Sequence, residues 1–251
     1  MNTTGATEGS VLEVHDHDDT RRVPAVERVL DHILTEMDAG QLRPGARVNA
    51  ARIAAKLNLS VAPVREALCM LAGRGVLELL PDRGAVMRPL MPTDVIQMWE
   101  VVAPVVALGF ELAAGKIAGG ADPSELQARY ELIAREPLAI PPLAFLLKLN
   151  DYHWAANGMT DNKYLNIWLE RLGISYWDRY LAELVDVHAN IDGYLNNYRR
   201  IHEAIISGDG RAANAVMHYH ARWSINLIRQ STVRVSAARR RQRAANRADP
   251  Q

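Results

Sequence analysis

Two groups of residues in this 251-residue chain carry side chains able to do chemistry at a meaningful spacing. The first is Ser60-Val61-Ala62-Pro63-Val64-Arg65-Glu66, which opens an apolar helical pattern. Pro63 is tolerated in a first helical turn, where N–H groups have no intrahelical acceptor, and Ser60 is placed to cap them. If that helix enters a major groove, Arg65 can fork onto guanine O6 and N7. The Ser60 hydroxyl and the free N–H groups can hold a phosphate. The second group is His153, Tyr198, His202 and His220, spread over the C-terminal half. Imidazoles and a phenol can hydrogen-bond a small molecule or, if clustered, ligate a divalent metal.

The elements that must position the first group are legible around it. Apolar residues at helical spacing (Val26, Val29, Leu30, Ile33, Leu34, Met37) predict a helix over 23–39. "RPG" at Arg43–Gly45 reads as a turn. Asn49 can cap a short helix, Ala50–Leu57, which Asn58 would end. The helix begun at Ser60 runs to about Ala72 and stops at "GRG". The period then changes: "VLELL", the turn "PDRG" and "AVMRP" predict a hairpin. Two short helices joined by "NLS", with a hairpin behind, make a winged helix-turn-helix. Arg52 and Lys56, one turn apart on the first of them, suit backbone contacts, as does Arg83 at the hairpin tip beside Gly84. Val61 and Ala62 could touch thymine methyls. No Phe, Tyr or Trp precedes Trp99, so this unit must build its core from Leu, Ile, Val, Ala and Met.

After the linker "PLMPTD", with Thr93 as a cap, everything reads as helix: about 94–118, 124–135, 143–159, 163–184, 190–207 and 210–232. The fold class is therefore mainly α, a winged helix with a small β-hairpin wing followed by an antiparallel helical bundle. The division is a disordered tail at 1–22, a DNA-binding unit at 23–90, a helical unit at 93–234 and a basic tail at 235–251 containing "RRRQRAANR".

Bulk properties agree with a nucleic-acid partner once charge is read locally. The net formal charge is zero, yet residues 24–90 carry nine basic side chains against seven acidic ones, and the first twenty-three residues are acidic. The single cysteine, Cys69, cannot form an internal disulfide, which fits a reducing cytoplasm. The N-terminus is not a signal peptide, and no uninterrupted apolar run approaches the roughly 20 residues a bilayer requires. The expected location is cytoplasmic, with no membrane partner.

"GQLRPGARVNAARIAAKLNLSVAPVREALCMLAGRGVLELLPDRGAVM" resembles the winged helix of GntR-family transcriptional regulators, with the pattern G-x-L-x-P-G, then V-S-R-x-P-V-R-E-A-L, then a glycine wing. The helical remainder resembles the FCD ligand-sensing domain of the FadR branch, through "YHWAANGMTDNKYL" and "YRRIHEAIISGD" followed by His220. The resemblance implies a homodimeric regulator, a repressor by preference. A small-molecule effector in the bundle would shift how two winged helices sit on a pseudo-palindromic double-stranded operator.

Departures from the family pattern carry information. Val61 stands where an arginine usually helps read bases, and Ala51 where a second often lies, with Arg52 adjacent. Many FCD domains hold zinc, nickel or manganese with an Asp and three His. Here the first two His positions align with His153 and Tyr198 and the third with His220, while the Asp position is Leu149, with Asn150 beside it. His153 and His220 thus remain as remnant metal candidates, and hydrogen-bonding pocket residues are preferred to a metal. His202, one turn beyond Tyr198, could point the same way. Val102 and Val106 replace an arginine and a glutamate of the first sensing helix, so the expected effector is more apolar or aromatic than a metal-bound hydroxy acid. Its expected contacts are His153, Tyr198, His202, His220, Val102 and Asn150. Expected to be ordinary exposed residues are His15, His17, His32 and His188.

Three rival readings fit parts of the sequence: a metal-dependent carboxylate sensor with a rearranged site, a His/Tyr-based hydrolase, and a DNA-binding protein whose bundle takes no ligand. The hydrolase has no nucleophile elbow, glycine-rich phosphate loop or complete metal triad in its favour and leaves the winged helix unexplained.

Overall fold

Asn49 and Asn58 bracket one eight-residue helix and so set the geometry of the N-terminal unit. In the computed structural model, helix α2 (Ala50–Leu57) is capped by the Asn49 side chain, which accepts from the Arg52 N–H at 3.1 Å. It ends where Asn58 turns left-handed, at φ 53° and ψ 52°. Asn tolerates that region better than other non-glycine residues. The structure describes residues 24–248 apart from 40, 82, 83, 89, 90, 136 and 173. The N-terminal tail assigned to 1–22 and the wing-tip Arg83 lie outside the described residues.

Around α2 sit α1 (Ala25–Asp38) and α3 (Val61–Gly73). The wing comprises β2 (Leu77–Leu79) and β3 (Ala85–Met87), paired antiparallel with Leu77 opposite Met87. A third strand, β1 (Arg47–Val48), pairs with the other edge of β3, giving the order β1-β3-β2. Its start is set by the turn at Gly45, whose φ of 81° suits glycine and whose N–H donates to the Met87 carbonyl at 2.8 Å. The core is aliphatic throughout: Val29, Ile33, Val64, Leu68, Leu71, Val76, Leu77 and Met87 are all buried, with Ala67 and Ala85 filling the close approaches.

Two expected side-chain caps are not made. Ser60 occupies the N-cap position of α3 but makes no side-chain capping bond. In the second unit α4 (Pro92–Ala118) begins one residue before Thr93, and the Asp94 carboxylate accepts from the Met91 N–H at 2.6 Å. A carboxylate at a helix N-terminus also faces the positive end of the macrodipole, which an uncharged hydroxyl exploits less.

Helix α4 is the axis of the helical unit. Against it pack α6 (Pro142–Gly158), α7 (Tyr164–Leu172), α8 (Ile174–Leu184), α9 (Ile191–Ile206) and α10 (Gly210–Ala248), while α5 (Ser124–Ala134) lies on α6 and α9. It is 27 residues long, and an 18-residue stretch of it has a mean hydropathy of 1.7, long and apolar enough by composition alone to cross a membrane. Its burial explains the composition differently: Val102, Val106, Phe110 and Ala113 are closed into the bundle core. At Gly109 the packing leaves no room for a methyl, since a Cβ would lie 1.9 Å from Asn157 Oδ1 on α6.

The span 163–184 forms two helices, α7 and α8, where one was expected. Helix α10 runs on to Ala248, beyond the expected end near 232. A single 3-10 turn, His188–Asn190, leads into α9.

Candidate functional site

The DNA-facing residues are brought to one side of the winged helix. Ser60, Ala62 and Arg65 are exposed on the first turns of α3, with Val61 and Pro63 half-buried beside them. Apolar Val64, Ala67, Leu68 and Leu71 point the opposite way into the core, which leaves Arg65 on the solvent side. Because the Ser60 hydroxyl is not spent on a cap, the first N–H groups of α3 and that hydroxyl face outward together. Arg65 and wing residue Gly84 line a common groove of about 290 Å³ with Arg47, Asn49, Ala51 and Val61. Arg47 was not anticipated. It sits on β1, a strand too short to show an alternating pattern, and it brings a second guanidinium to the groove beside α3.

The preceding helix behaves differently from expectation at one position. Arg52 is exposed, but Lys56 Nζ donates to Glu36 Oε1 at 2.8 Å. That bond, with help from His32 and Arg52, holds the Glu36 carboxyl below the usual carboxylate range despite partial burial. Lys56 is therefore tied to α1, and a phosphate would have to compete for it. His32 joins the same cluster at 3.2 Å from Glu36, so it is half-buried rather than exposed. His188 likewise bonds the Ile140 carbonyl at 3.0 Å. Cys69 is exposed on α3.

In the helical unit the expected effector residues fall into two groups. His153, Tyr198, His220, Val102 and Asn150 line one cavity with Met98, Trp99, Leu146, Leu149, Trp177, Asp178, Leu181 and Tyr194. Its free space is about 30 Å³, enough for one or two waters. His202 does not line it. Four residues advance a helix by about 6 Å, and His202 instead receives its contacts from Tyr152 (Oη to Nδ1, 3.0 Å) and Gln127 (Oε1 to Nε2, 2.7 Å) while stacking on Tyr130.

The cavity's polar groups are almost all neutral. His153 Nε2 and the Tyr198 hydroxyl share a 2.6 Å hydrogen bond. Asn197 Nδ2 donates to His220 Nδ1 at 3.2 Å, which puts that ring's proton on Nε2. His153 Nδ1 and His220 Nε2 are buried without a hydrogen-bond partner among the described residues. Burial pushes both imidazoles down to about 3, with His220 adding to the effect on His153. Burial also raises the Tyr194 and Tyr198 phenols, and the nearby Asp178 carboxyl raises them further.

Asp178 was missed in the sequence. Burial pushes its carboxyl up to about 7, against the opposing effects of its hydrogen bond from Asn150 Nδ2 and the charge of Arg179. A signal for it existed. Asp178, Leu181 and Val185 recur at helical spacing, and all three are buried, so an acid sits on the apolar stripe of α8.

Helix α8 also reaches the winged helix. Arg179, Tyr180, Ala182 and Glu183 line a groove of about 260 Å³ whose other walls include Met37, Leu42 and Pro44. Trp177 lines the cavity and also a groove shared with Gly73, Arg74, Gly75 and Arg88 at the end of α3 and the wing.

Residues 25–87 match the family of bacterial regulatory proteins known as gntR, and residues 99–222 match the FCD domain. The chain belongs to the GntR family. It is 25% identical over 217 residues to a protein of Paenarthrobacter nicotinovorans named "Probable D-xylose utilization operon transcriptional repressor", covering 86% of this chain and 94% of that one. Its fold is shared with E. coli McbR/YncC (TM-score 0.66, 20% identity, 84% of this chain and 100% of that one). It is shared also with a GntR-type regulator from Rhodococcus sp. RHA1 (TM-score 0.61, 21% identity, 81% and 96%). The matched families are those of transcriptional regulators, which are not enzymes, so the hydrolase alternative is not favoured.

As a GntR/FCD regulator the chain has a bundle whose residues do not fit the family's metal. Leu149 lies at the Asp position and contributes only carbon to the cavity wall. The Tyr198 hydroxyl occupies His153 Nε2, leaving one nitrogen on each of two rings. No group of three or more His, Cys, Asp or Glu side chains among the described residues could hold a metal ion.

Proposed function

We propose that this GntR/FCD regulator is a repressor of the FadR branch. It acts in the cytoplasm as a homodimer on a pseudo-palindromic operator and responds to a small organic effector held in the bundle cavity. Its working parts are the DNA-binding unit over 23–90 and the sensing unit over 93–234. One observation carries the reading. The solvent face of α3 presents Arg65 beside the wing, while α8 lines the cavity with Trp177 and Asp178 and faces the winged helix with Arg179, Tyr180 and Glu183.

In this reading Arg65 reads a base and Arg47, Arg52 and the α3 N-terminus with Ser60 hold phosphates, while Val61 and Ala62 offer apolar contact to thymine methyls. A ligand that fills the cavity must displace Trp177 or move α8. Either movement is felt at Arg74, Gly75 and Arg88, or at Met37 and Pro44. Coupling then follows from the ligand's different affinity for the two arrangements of α8. Support for the homodimer is an apolar stripe on α4, where Val101, Leu108 and Leu112 are exposed.

The deciding experiment is a gel shift on DNA from upstream of the regulator's own gene and its neighbours. Arg65→Ala should weaken selective binding by about 1–3 kcal/mol, roughly 5–150-fold, with the melting temperature unchanged. Undiminished selective binding by the variant would remove Arg65 from the reading head.

A further inference from the structure

The cavity has one wall residue that carries a formal charge when ionised near neutral pH, and it is acidic. Neither lysine nor arginine lines the cavity, and Arg179, next to Asp178 in sequence, lines the interdomain groove instead. Trp99, Trp177, Tyr194 and Tyr198, rings from three different helices, line the same cavity as Asp178. Asn150 Nδ2 donates to Asp178 Oδ2 and fixes the carboxyl's orientation.

We propose that the cavity recognises a small organic cation, an amine or quaternary ammonium on an apolar or aryl body, with its charge on Asp178 and its body among these rings. The inference rests on the helical domain being a ligand sensor and supplies the chemical class of the ligand.

Three ligand chemistries can be compared against the same walls. An anion would meet the Asp178 carboxyl with no lysine or arginine among the described residues of the cavity wall, Arg179 acting on Asp178 from the groove side, and the metal that could bridge an acid to this fold has lost its ligand positions at Leu149 and Tyr198. A neutral apolar ligand would fill space but leave Asp178 buried beside it, which is costly if the group ionises. A cation offers the carboxylate a charge-assisted hydrogen bond and is attracted by the quadrupoles of the indole and phenol rings. It also returns Asp178 to the ionised state that burial now opposes, since the carboxyl stands at about 7 without a ligand. The unpartnered His220 Nε2–H gives a hydroxyl or ether on the ligand body one donor to meet.

The free space of about 30 Å³ must widen for such a ligand, and the side chain placed to give way is Trp177, which lines both the cavity and the groove against the winged helix. The cation is thereby tied to the helix that faces the DNA-binding unit.

The test uses the full-length protein and three molecules of one skeleton: phenethylamine, 2-phenylethanol and phenylacetate, with tetramethylammonium as a compact cation. Calorimetry and thermal shift at pH 7.5 are read for the wild type, Asp178→Asn and Asp178→Ala, and the gel shift is run in parallel. Phenethylamine should bind about tenfold or more tighter than 2-phenylethanol, and phenylacetate should produce no shift. Both variants should lose the preference for the amine while keeping the affinity for the alcohol. Tighter binding of phenylacetate, an amine preference that survives both substitutions, or no binding of either cation at millimolar concentration would overturn the proposal. If phenylacetate binds and releases DNA, the ligand class is wrong and the ligand-responsive regulator stands. If no upstream DNA is bound under any condition, the regulator reading itself has failed, whatever the amine does.

Discussion

The winged helix and the helical domain solve opposite problems. In the first, the groups offered for polar recognition are on the surface: Arg65, Ser60 and Arg52 face solvent, and the core beneath them is aliphatic without an aromatic ring. In the second, the candidate recognition groups are inside. His153, Asn150, Asp178, Tyr198 and His220 are all buried, and two imidazole nitrogens among them lack a partner. A surface reader leaves its core free to be chosen for packing alone. An internal reader must hold polar groups where each unsatisfied one costs about 1–3 kcal/mol, and the aromatic lining is what that environment requires of its neighbours.

The comparison is sharpened most by removing a side chain whose only duty is packing. Leu68 lies 2% exposed under the reading face of α3. Leu68→Ala should cost about 2–5 kcal/mol in chemical denaturation. Saturating the DNA should recover part of that loss, because ligands of the native state stabilise by mass action.

A smaller effect separates the two domains by pH. His153 and His220, down at about 3, bind fewer protons folded than unfolded, so their stabilisation is full above about pH 6.5 and is lost as pH falls. Asp178, up at about 7, binds more protons folded than unfolded, so its contribution falls as pH rises through 7. The histidine slope is shared by the wild type and Asp178→Asn, so the Asp178 contribution appears in their difference. The stability gained by Asp178→Asn over the wild type should grow as pH rises from about 5 to 8, reaching about 1–3 kcal/mol at pH 8. A gain that does not change with pH would show that Asp178 is held ionised in the folded protein and would break the contrast.

The smallest effect is expected at Lys56. Its ammonium is already on Glu36, so Lys56→Gln should reduce the salt slope of operator binding by less than the roughly one unit per phosphate contact of a free lysine. A full unit lost would mean that the ion pair opens on DNA.

How much of this was legible in the sequence follows the same division. The α2–turn–α3 unit was readable because Asn49, Asn58 and Pro63 act through local backbone chemistry, and each speaks within a few residues of itself. The two-residue strand β1 was not, since its existence depends on the edge of β3 arriving from forty residues away. In the bundle, helix positions were visible from periodicity, but the break between α7 and α8 was not. The separation of His202 from His153 and His220 depends on which neighbour each helix face meets, and one strand of sequence does not contain that. Asp178 has no place in the sequence reading, although it shares a helical spacing with Leu181 and Val185, which are buried with it.

The absence of aromatic side chains before Trp99 has an optical consequence. All intrinsic tryptophan emission originates in the helical domain, and three of its five sources, Trp99, Trp177 and Trp223, stand on the cavity wall or against Tyr194 and His220 on that wall. Fluorescence of the unlabelled regulator therefore observes the sensor while the DNA-reading unit remains dark, so any change in emission on adding operator DNA is a signal that has crossed from one domain to the other.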